Sequence, residues 1–113
     1  MAKLSVLPQR ERGVCCPPSI KVRPERVAGT TEVLKALADA TRLQMAVALR
    51  DAADPVCVCD FTATFDLSQP TVSHHMAKLR DAGLVEVTKK GIWSFYRLRP
   101  DLPAGARRII DAL

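Results

Sequence analysis

The chain has 113 residues, of which 48% are hydrophobic, and its 17 Lys and Arg against 12 Asp and Glu give a net charge of +5. This length fits one small domain, and the basic balance favours a polyanionic partner. No apolar run approaches the ~18 residues that cross a bilayer, and no secretory pattern opens the chain. We therefore expect a cytoplasmic protein without membrane contact, whose four cysteines stay reduced.

The first segment carries four prolines among scattered Arg and Lys, a pattern that disfavours a continuous helix. We predict an N-terminal arm over residues 1–29, which holds Cys15 and Cys16. Residues 30–113 are predicted to form the folded domain.

Two scaffold helices are predicted next. Thr30 or Thr31 is suited to cap the first one. Its apolar positions, which recur at helical spacing, are Val33, Leu34, Leu37 and Ala38. After a break at Asp39-Ala40, the second helix is predicted from about Thr41 to the Asp54-Pro55 turn.

A close cysteine pair, Cys57 and Cys59, leads into a predicted helix-turn-helix. Its first helix is predicted from Val58 to about Phe65. Ser68 is placed to cap the second helix, and Pro70 is tolerated in the first turn because its missing N–H would be unpaired there. Soft-metal ligands beside a DNA-reading element suggest a repressor that is controlled by a metal.

The second helix of this motif is predicted to read DNA. At 100° per residue Val72, Met76 and Leu79 fall on one side, which must face the core. The opposite side and the helix start are polar and suited to base edges in the major groove. The predicted contact residues are Ser68, Gln69, Thr71, Ser73, His74 and Lys78. His75 leans toward the core side and is a weaker candidate.

A β-hairpin is predicted to follow, with strands Leu84–Thr88 and Ile92–Arg99 joined by a basic turn. Beside a reading helix, such a hairpin is suited to be a wing whose Lys89 and Lys90 reach phosphates or the minor groove. Arg97 or Arg99 would support that contact. A capping hairpin with a solvated turn is the alternative.

The chain closes with a short apolar helix that holds Ile109, Ile110 and Leu113. So small an apolar helix is easiest to explain if it packs in a dimer seam.

Thiolate sulfur is soft and selects Cu(I), zinc, cadmium, lead or trivalent arsenic. In a regular helix Cys57 and Cys59 would diverge by 200°, so joint binding of one ion requires the helix to begin after Cys57. The helix N-terminus would lower the pKa of these thiols. Three alternatives remain open: the cysteines are buried small hydrophobes, a disulfide switch, or, least favoured, the nucleophile of a thiol enzyme.

The segment CVCD, the run LSQPTVSHHMAKLRDAGLV and the strand GIWSFYRL together resemble the ArsR/SmtB family of winged-helix metal-sensing repressors, over roughly Glu32 to Leu102. The resemblance implies a mainly α fold with a β-hairpin, and a homodimer rather than an enzyme. It also implies that the metal-free dimer binds an inverted-repeat double-stranded operator and leaves it when metal binds.

The arsenic sensors of that family often carry a third Cys three positions after the second, where this chain has Thr62. Trivalent arsenic is satisfied by three thiolates, so Cys15 or Cys16 on the arm would have to supply the third. We predict As(III) or Sb(III) as the inducer, with Cys15, Cys16, Cys57 and Cys59 as candidate ligands. The rival is a Cd(II), Pb(II) or Zn(II) site of four thiolates. The family's other zinc site is disfavoured because no His follows Pro100.

Overall fold

The computed structural model describes residues 20–113, and Cys15 and Cys16 lie outside the described residues. Within this range the chain forms five helices and three strands. The helices are α1 (Pro24–Leu37), α2 (Ala40–Asp51), α3 (Val58–Phe65), α4 (Gln69–Asp81) and α5 (Ala104–Asp111). The strands are β1 (Val56–Cys57), β2 (Val85–Lys90) and β3 (Trp93–Leu98), in one antiparallel sheet of order β1-β3-β2. The predicted mainly α class with a β-hairpin is confirmed.

Helix α1 begins at Pro24, so the predicted start at Thr30 or Thr31 is wrong. Proline in a first turn lacks only an N–H that would be unpaired anyway, so Pro24 starts the helix instead of preventing it. The Thr31 hydroxyl donates to the Val27 carbonyl at 2.8 Å inside the helix and caps nothing. Residues 24–29 are therefore helical, while the division into an arm and a domain stays a prediction.

Helix α1 has apolar side chains on two faces. Val33 and Leu37 are buried in the core, as the spacing predicted. Leu34 was predicted on the same stripe, yet it is 51% exposed, and Val27, two turns earlier, is 56% exposed. Positions seven apart share a helix face, so these two side chains form an outward apolar surface.

Asp39 caps helix α2, which therefore starts one residue before the predicted Thr41. The Asp39 carboxylate accepts a hydrogen bond from the Arg42 backbone N–H at 2.9 Å. This bond is the main reason why the pKa of the Asp39 carboxyl lies below its ordinary value. An ionised Asp at this position satisfies an otherwise unpaired N–H and opposes the positive end of the helix dipole.

Helices α3 and α4 form the predicted helix-turn-helix. The connection passes through Asp66, which has a left-handed φ of 52°. The Ser68 hydroxyl then accepts from the Thr71 backbone N–H at 3.4 Å, which confirms Ser68 as the cap of α4. Helix α4 ends at Asp81, and Gly83, two residues later, has the φ of 80° that the predicted C-terminal cap requires. The side chains predicted to face the core are fully buried: Val72, Met76 and Leu79.

The hairpin differs from its prediction at the turn. Lys89 and Lys90 lie in strand β2, and Lys90 pairs with Trp93 across a two-residue turn made by Gly91 and Ile92. Gly91 has a φ of 60°, which a side chain would strain, and this glycine allows the tight turn. The predicted basic turn at residues 89–91 is therefore wrong, because the strand runs two residues further.

The core holds all five helices and the sheet together. Its largest fully buried side chains are Met45, Val72, Met76, Leu79, Leu84, Val85 and Ile110. Ile110 of α5 thus packs into the core of its own chain, whereas Leu113 is 44% exposed. The Arg50 guanidinium donates to the carbonyls of Ile110 and Leu113, which satisfies unpaired groups at the end of α5. Among the helices of residues 20–113, none has both the length and the apolar character needed to cross a membrane.

Candidate functional site

The two cysteines of the described residues meet at the junction of β1 and α3. Helix α3 begins at Val58, so Cys57 precedes it in an extended conformation, with φ −69° and ψ 144°. The Cys59 thiol donates to the Cys57 sulfur, and the two Sγ atoms are 2.8 Å apart. The condition that the sequence set for joint binding of one ion, a helix start after Cys57, is met.

The pair needs little movement to hold an ion. Two thiolates that bind one ion at ~2.3 Å, the zinc–sulfur distance, lie roughly 3.7 Å apart in a tetrahedral site, so the sulfurs of Cys57 and Cys59 would separate by about 1 Å. Cys57 is buried, whereas Cys59 is exposed and gives a ligand access to the pair. The donor set suits a soft ion.

The expected lowering of thiol pKa is wrong for Cys59. The pKa of the Cys59 thiol is raised, first because it donates its proton to the Cys57 sulfur, and then because of partial burial and the charges of Cys57 and Asp60. For the pKa of Cys59, the contact between the two thiols has a larger effect than the helix N-terminus. Binding of a soft ion would therefore have to displace this proton.

Strand β1 ties the cysteine pair to the hairpin. Val56 pairs with Tyr96, and Cys57 pairs with Phe95, in the central strand β3. This strand could not be predicted from the sequence, because two residues are too short to show an alternating pattern. Cys57 is therefore connected both to the helix that precedes α4 and to the hairpin.

A groove lies beside the exposed thiol. It encloses about 450 Å³ and lies between the α3–α4 unit and the tip of the hairpin. Its lining residues are Val58, Cys59, Thr62, Gln69, Ile92 and Trp93. The sequence predicts Trp93 in a strand but carries no signal that it lies next to Cys59, because that proximity depends on how the hairpin packs.

The polar side of α4 faces solvent. Thr71, His74 and Lys78 are exposed and follow helical spacing, so they share one face, with exposed Ser68 and Gln69 at its start. The Ser68 and Thr71 hydroxyls are 2.9 Å apart and hydrogen-bond each other at the cap. Ser73 is half-buried and lies at the edge of this surface.

His75 lies on the scaffold side of α4. Its Nδ1 is 3.4 Å from Nη1 of Arg42, and because a guanidinium only donates, Nδ1 is the acceptor. Arg42 also donates from Nε to the Ala36 carbonyl at 2.7 Å. Arg42, which sequence reasoning missed, thus connects the end of α1 to α4 through one side chain.

The hairpin presents two lysines and two paired arginines. Lys89 and Lys90 are exposed near its tip. Arg97 pairs with Glu86, its neighbour across the strands, and Arg99 pairs with Asp101 at 3.0 Å. The arginines expected to support a DNA contact are therefore engaged by carboxylates, which leaves the lysines as the stronger candidates.

No group of three or more His, Cys, Asp or Glu side chains within residues 20–113 is arranged to hold a metal ion. The described part of the chain therefore supplies two thiols and no third ligand. The remaining predicted ligands, Cys15 and Cys16, lie outside it.

Comparison with known proteins identifies the family. The sequence model of the bacterial regulatory proteins of the arsR family matches residues 39–87, which include α2, the cysteine pair and α4. The arsenical resistance operon repressor of Escherichia coli K12 is 45% identical over 80 residues, which cover 71% of this chain and 68% of that protein. The chain belongs to the ArsR family.

Solved structures support the fold of this ArsR-family protein. HlyU from Vibrio cholerae is 30% identical, with a TM-score of 0.69 over 80% of this chain and 92% of that one. A homodimeric winged helix-turn-helix DNA-binding domain from Mycobacterium bovis, 22% identical, has a TM-score of 0.65 over 84% and 85% of the two chains. The predictions of a winged helix-turn-helix and of a transcriptional repressor rather than an enzyme are confirmed.

Proposed function

We propose that this ArsR-family repressor senses trivalent metalloid. In this proposal an inducer-free homodimer binds double-stranded operator DNA in the cytoplasm, and As(III) or Sb(III) releases it by binding cysteine thiolates. The observation that carries the proposal is the contact of the Cys57 and Cys59 sulfurs, 2.8 Å apart, one helix before the DNA-reading helix. The name of the Escherichia coli relative, an arsenical resistance operon repressor, supports the choice of inducer.

The third thiolate would come from Cys15 or Cys16, since Thr62 stands where the family's arsenic sensors often have a cysteine. Three sulfurs complete trivalent arsenic. A Cd(II), Pb(II) or Zn(II) site that uses all four cysteines is the alternative, and soft thiolates suit these ions too. Adjacent cysteines are awkward joint ligands of a tetrahedral ion, which favours the metalloid.

DNA would be contacted by α4 and the hairpin. Gln69, Thr71, His74 and Lys78 would face base edges and phosphates, with Ser68 and Ser73 at the margin of the contact. Lys89 and Lys90 would reach the backbone beside the groove. The outward apolar surface of α1 and the exposed Leu113 of α5 would form the dimer seam, because each is an apolar surface that the monomer leaves in water.

Two connections would carry the signal from the thiols to the DNA-binding surfaces. Cys57 caps α3, which packs against α4, so drawing its sulfur toward an ion would shift the start of α3. Cys57 also pairs with Phe95 in β3, which leads into the hairpin. Couplings of ~1 to 3 kcal/mol, equivalent to roughly 5- to 150-fold in operator affinity, are typical of such linked sites.

The test is fluorescence anisotropy of the reduced full chain on a labelled duplex from upstream of its own gene, at fixed salt because phosphate contacts depend on salt. Arsenite should release the DNA at near-stoichiometric amounts, and cadmium, lead and zinc are titrated separately. Cys57→Ser should keep operator binding, because serine is itself a favoured helix cap, and should abolish release. Loss of operator binding in this variant would make Cys57 structural and contradict the proposal.

The same sulfur contact favours a second candidate, a disulfide switch. Closing from 2.8 Å to a disulfide bond of ~2.05 Å is a small movement, and a peroxide could supply the oxidation. Thiol titration after mild peroxide, without metal, separates the two. Release by peroxide but not by any metal ion would favour the switch.

A further inference from the structure

The groove beside Cys59 has an apolar wall that inorganic arsenic does not need. Ile92 and Trp93, at the tip of the hairpin, line it together with Cys59, and they are 85% and 49% exposed. These two adjacent side chains form an apolar surface beside an exposed thiol. Their position indicates a ligand with an apolar part.

The contact between the Cys57 and Cys59 sulfurs beside this groove suggests which ligand. Cys57 and Cys59 provide two sulfurs in contact, and Thr62, one turn later on the same wall, replaces a third. A trivalent arsenic that already carries one carbon substituent has two valences left. We propose that this groove binds mono-substituted organoarsenicals(III), with arsenic on Cys57 and Cys59 and the organic substituent against Trp93. This inference rests on the proposed function and names a second inducer class for it.

The step is a ligand exchange without oxidation. An organoarsenous acid, R–As(OH)2, loses both hydroxyl groups as two waters, each taking the proton of one thiol. Two As–S bonds replace two As–O bonds, the As–C bond stays intact, and arsenic remains trivalent. No other reactant is required.

The dimensions of the groove fit a ring. A cavity of ~150 Å³ accommodates a benzene ring, and the groove encloses about 450 Å³. Trp93 offers a flat aromatic face, on which a ring gains contact beyond simple burial. Arsenic on Cys59 would place its substituent between that face and the wall formed by Val58 and Thr62.

The groove also reaches the DNA-reading helix. Gln69, the first residue of α4, lines it and is at the same time a predicted DNA contact. A substituent in the groove would therefore lie beside the start of α4. Organoarsenical binding should release operator DNA without help from the arm thiols.

The experiment uses the full chain and a Cys15→Ser/Cys16→Ser variant, which removes the only other thiols. Arsenite and phenylarsine oxide are titrated by calorimetry and by operator anisotropy, and the fluorescence of Trp93, the single tryptophan, reports on the groove. In the double-serine variant, phenylarsine oxide should still bind one per chain, quench Trp93 and release DNA. Arsenite affinity should fall at least tenfold there.

Trp93→Ala, made in the double-serine variant, tests whether the organic substituent binds against Trp93 or whether the two thiols alone account for binding. Its ratio of phenylarsine oxide affinity to arsenite affinity should fall about tenfold, and Trp93→Phe should restore most of it. An unchanged ratio would overturn the inference, as would weaker operator binding of inducer-free Trp93→Ala, which would assign Trp93 to the DNA contact.

The two proposals fail differently. If arsenite releases the full chain but phenylarsine oxide does not bind the double-serine variant, the groove assignment is wrong and the proposed function stands. If phenylarsine oxide binds and releases the DNA while arsenite does not release even the full chain, the groove assignment stands and inorganic arsenic is not the inducer. If neither compound binds the full chain, both proposals are wrong.

Discussion

A thiol at position 62 should make the arm cysteines, Cys15 and Cys16, unnecessary for release of operator DNA by arsenite. Thr62 follows Cys59 by three residues in α3, so the two Cβ atoms lie ~5–6 Å apart on one helix face. Both residues line the same groove. In the Cys15→Ser/Cys16→Ser variant we expect no release by arsenite, and adding Thr62→Cys should restore it.

The cost of this substitution is small. The Thr62 hydroxyl donates to the Cys59 carbonyl at 2.8 Å in a solvent-exposed position, and losing it costs about 0.5–1.5 kcal/mol. Threonine and cysteine have similar helix propensities, so α3 should keep its length. The regained response should fall within the roughly 5- to 150-fold change in operator affinity that such couplings give.

The assay is operator anisotropy with arsenite at fixed salt. The control is Thr64→Cys, which adds the same thiol to α3 two residues later, where it is exposed and points about 200° away from position 62. Release by Thr62→Cys alone supports the geometry. Equal release by both variants, or by neither, would refute the reasoning that places the third ligand on this face.

Three further predictions concern DNA contact and stability. Replacing Lys89 and Lys90 with Gln should weaken operator binding and lower the slope of log affinity against log salt by about 1.8, if each lysine neutralises one phosphate. Ser68→Ala, which removes the cap of α4, should cost ~1 kcal/mol and lower Tm by about 4 °C in thermal unfolding. Asp39→Asn should reduce the amount of folding stability that the protein loses as the pH falls. Because the pKa of Asp39 is lowered by folding, its stabilisation is present above the ordinary value near 3.8 and is lost as pH falls through the lowered value.

Each of these has a contrasting variant. Arg97→Gln should change the salt slope little, since Glu86 already pairs with that guanidinium, and an equal change would contradict the assignment of the lysines. Ser68→Thr should retain the cap, so a Tm as low as that of the alanine variant would argue against the hydroxyl as the stabilising group. Urea midpoints of wild type and Asp39→Asn that stay parallel down to pH 2 would contradict the role of the carboxylate.

Much of helix α4 could be predicted because the signals that define it are local. Ser68, Pro70 and Gly83 specify the ends of α4 through backbone requirements that act within one turn. The start of α1 was harder, since Pro24 can either begin a helix or exclude one, and the choice depends on packing that starts only at Val33. The turn of the hairpin was predicted two residues too early for a similar reason. Gly91 and Ile92 alone make the turn, and the pairing of Lys90 with Trp93 depends on both strands together.

The sequence by itself determined the helix-turn-helix and the family, because residue type, spacing and caps act over short distances along the chain. The tertiary structure decided which side chains meet. It paired Cys57 with Phe95 through a strand too short to recognise, set Trp93 beside Cys59 and joined Arg42 to His75. These contacts join residues 33 to 38 positions apart, and only the packing of the sheet and helices around one core brings such pairs together.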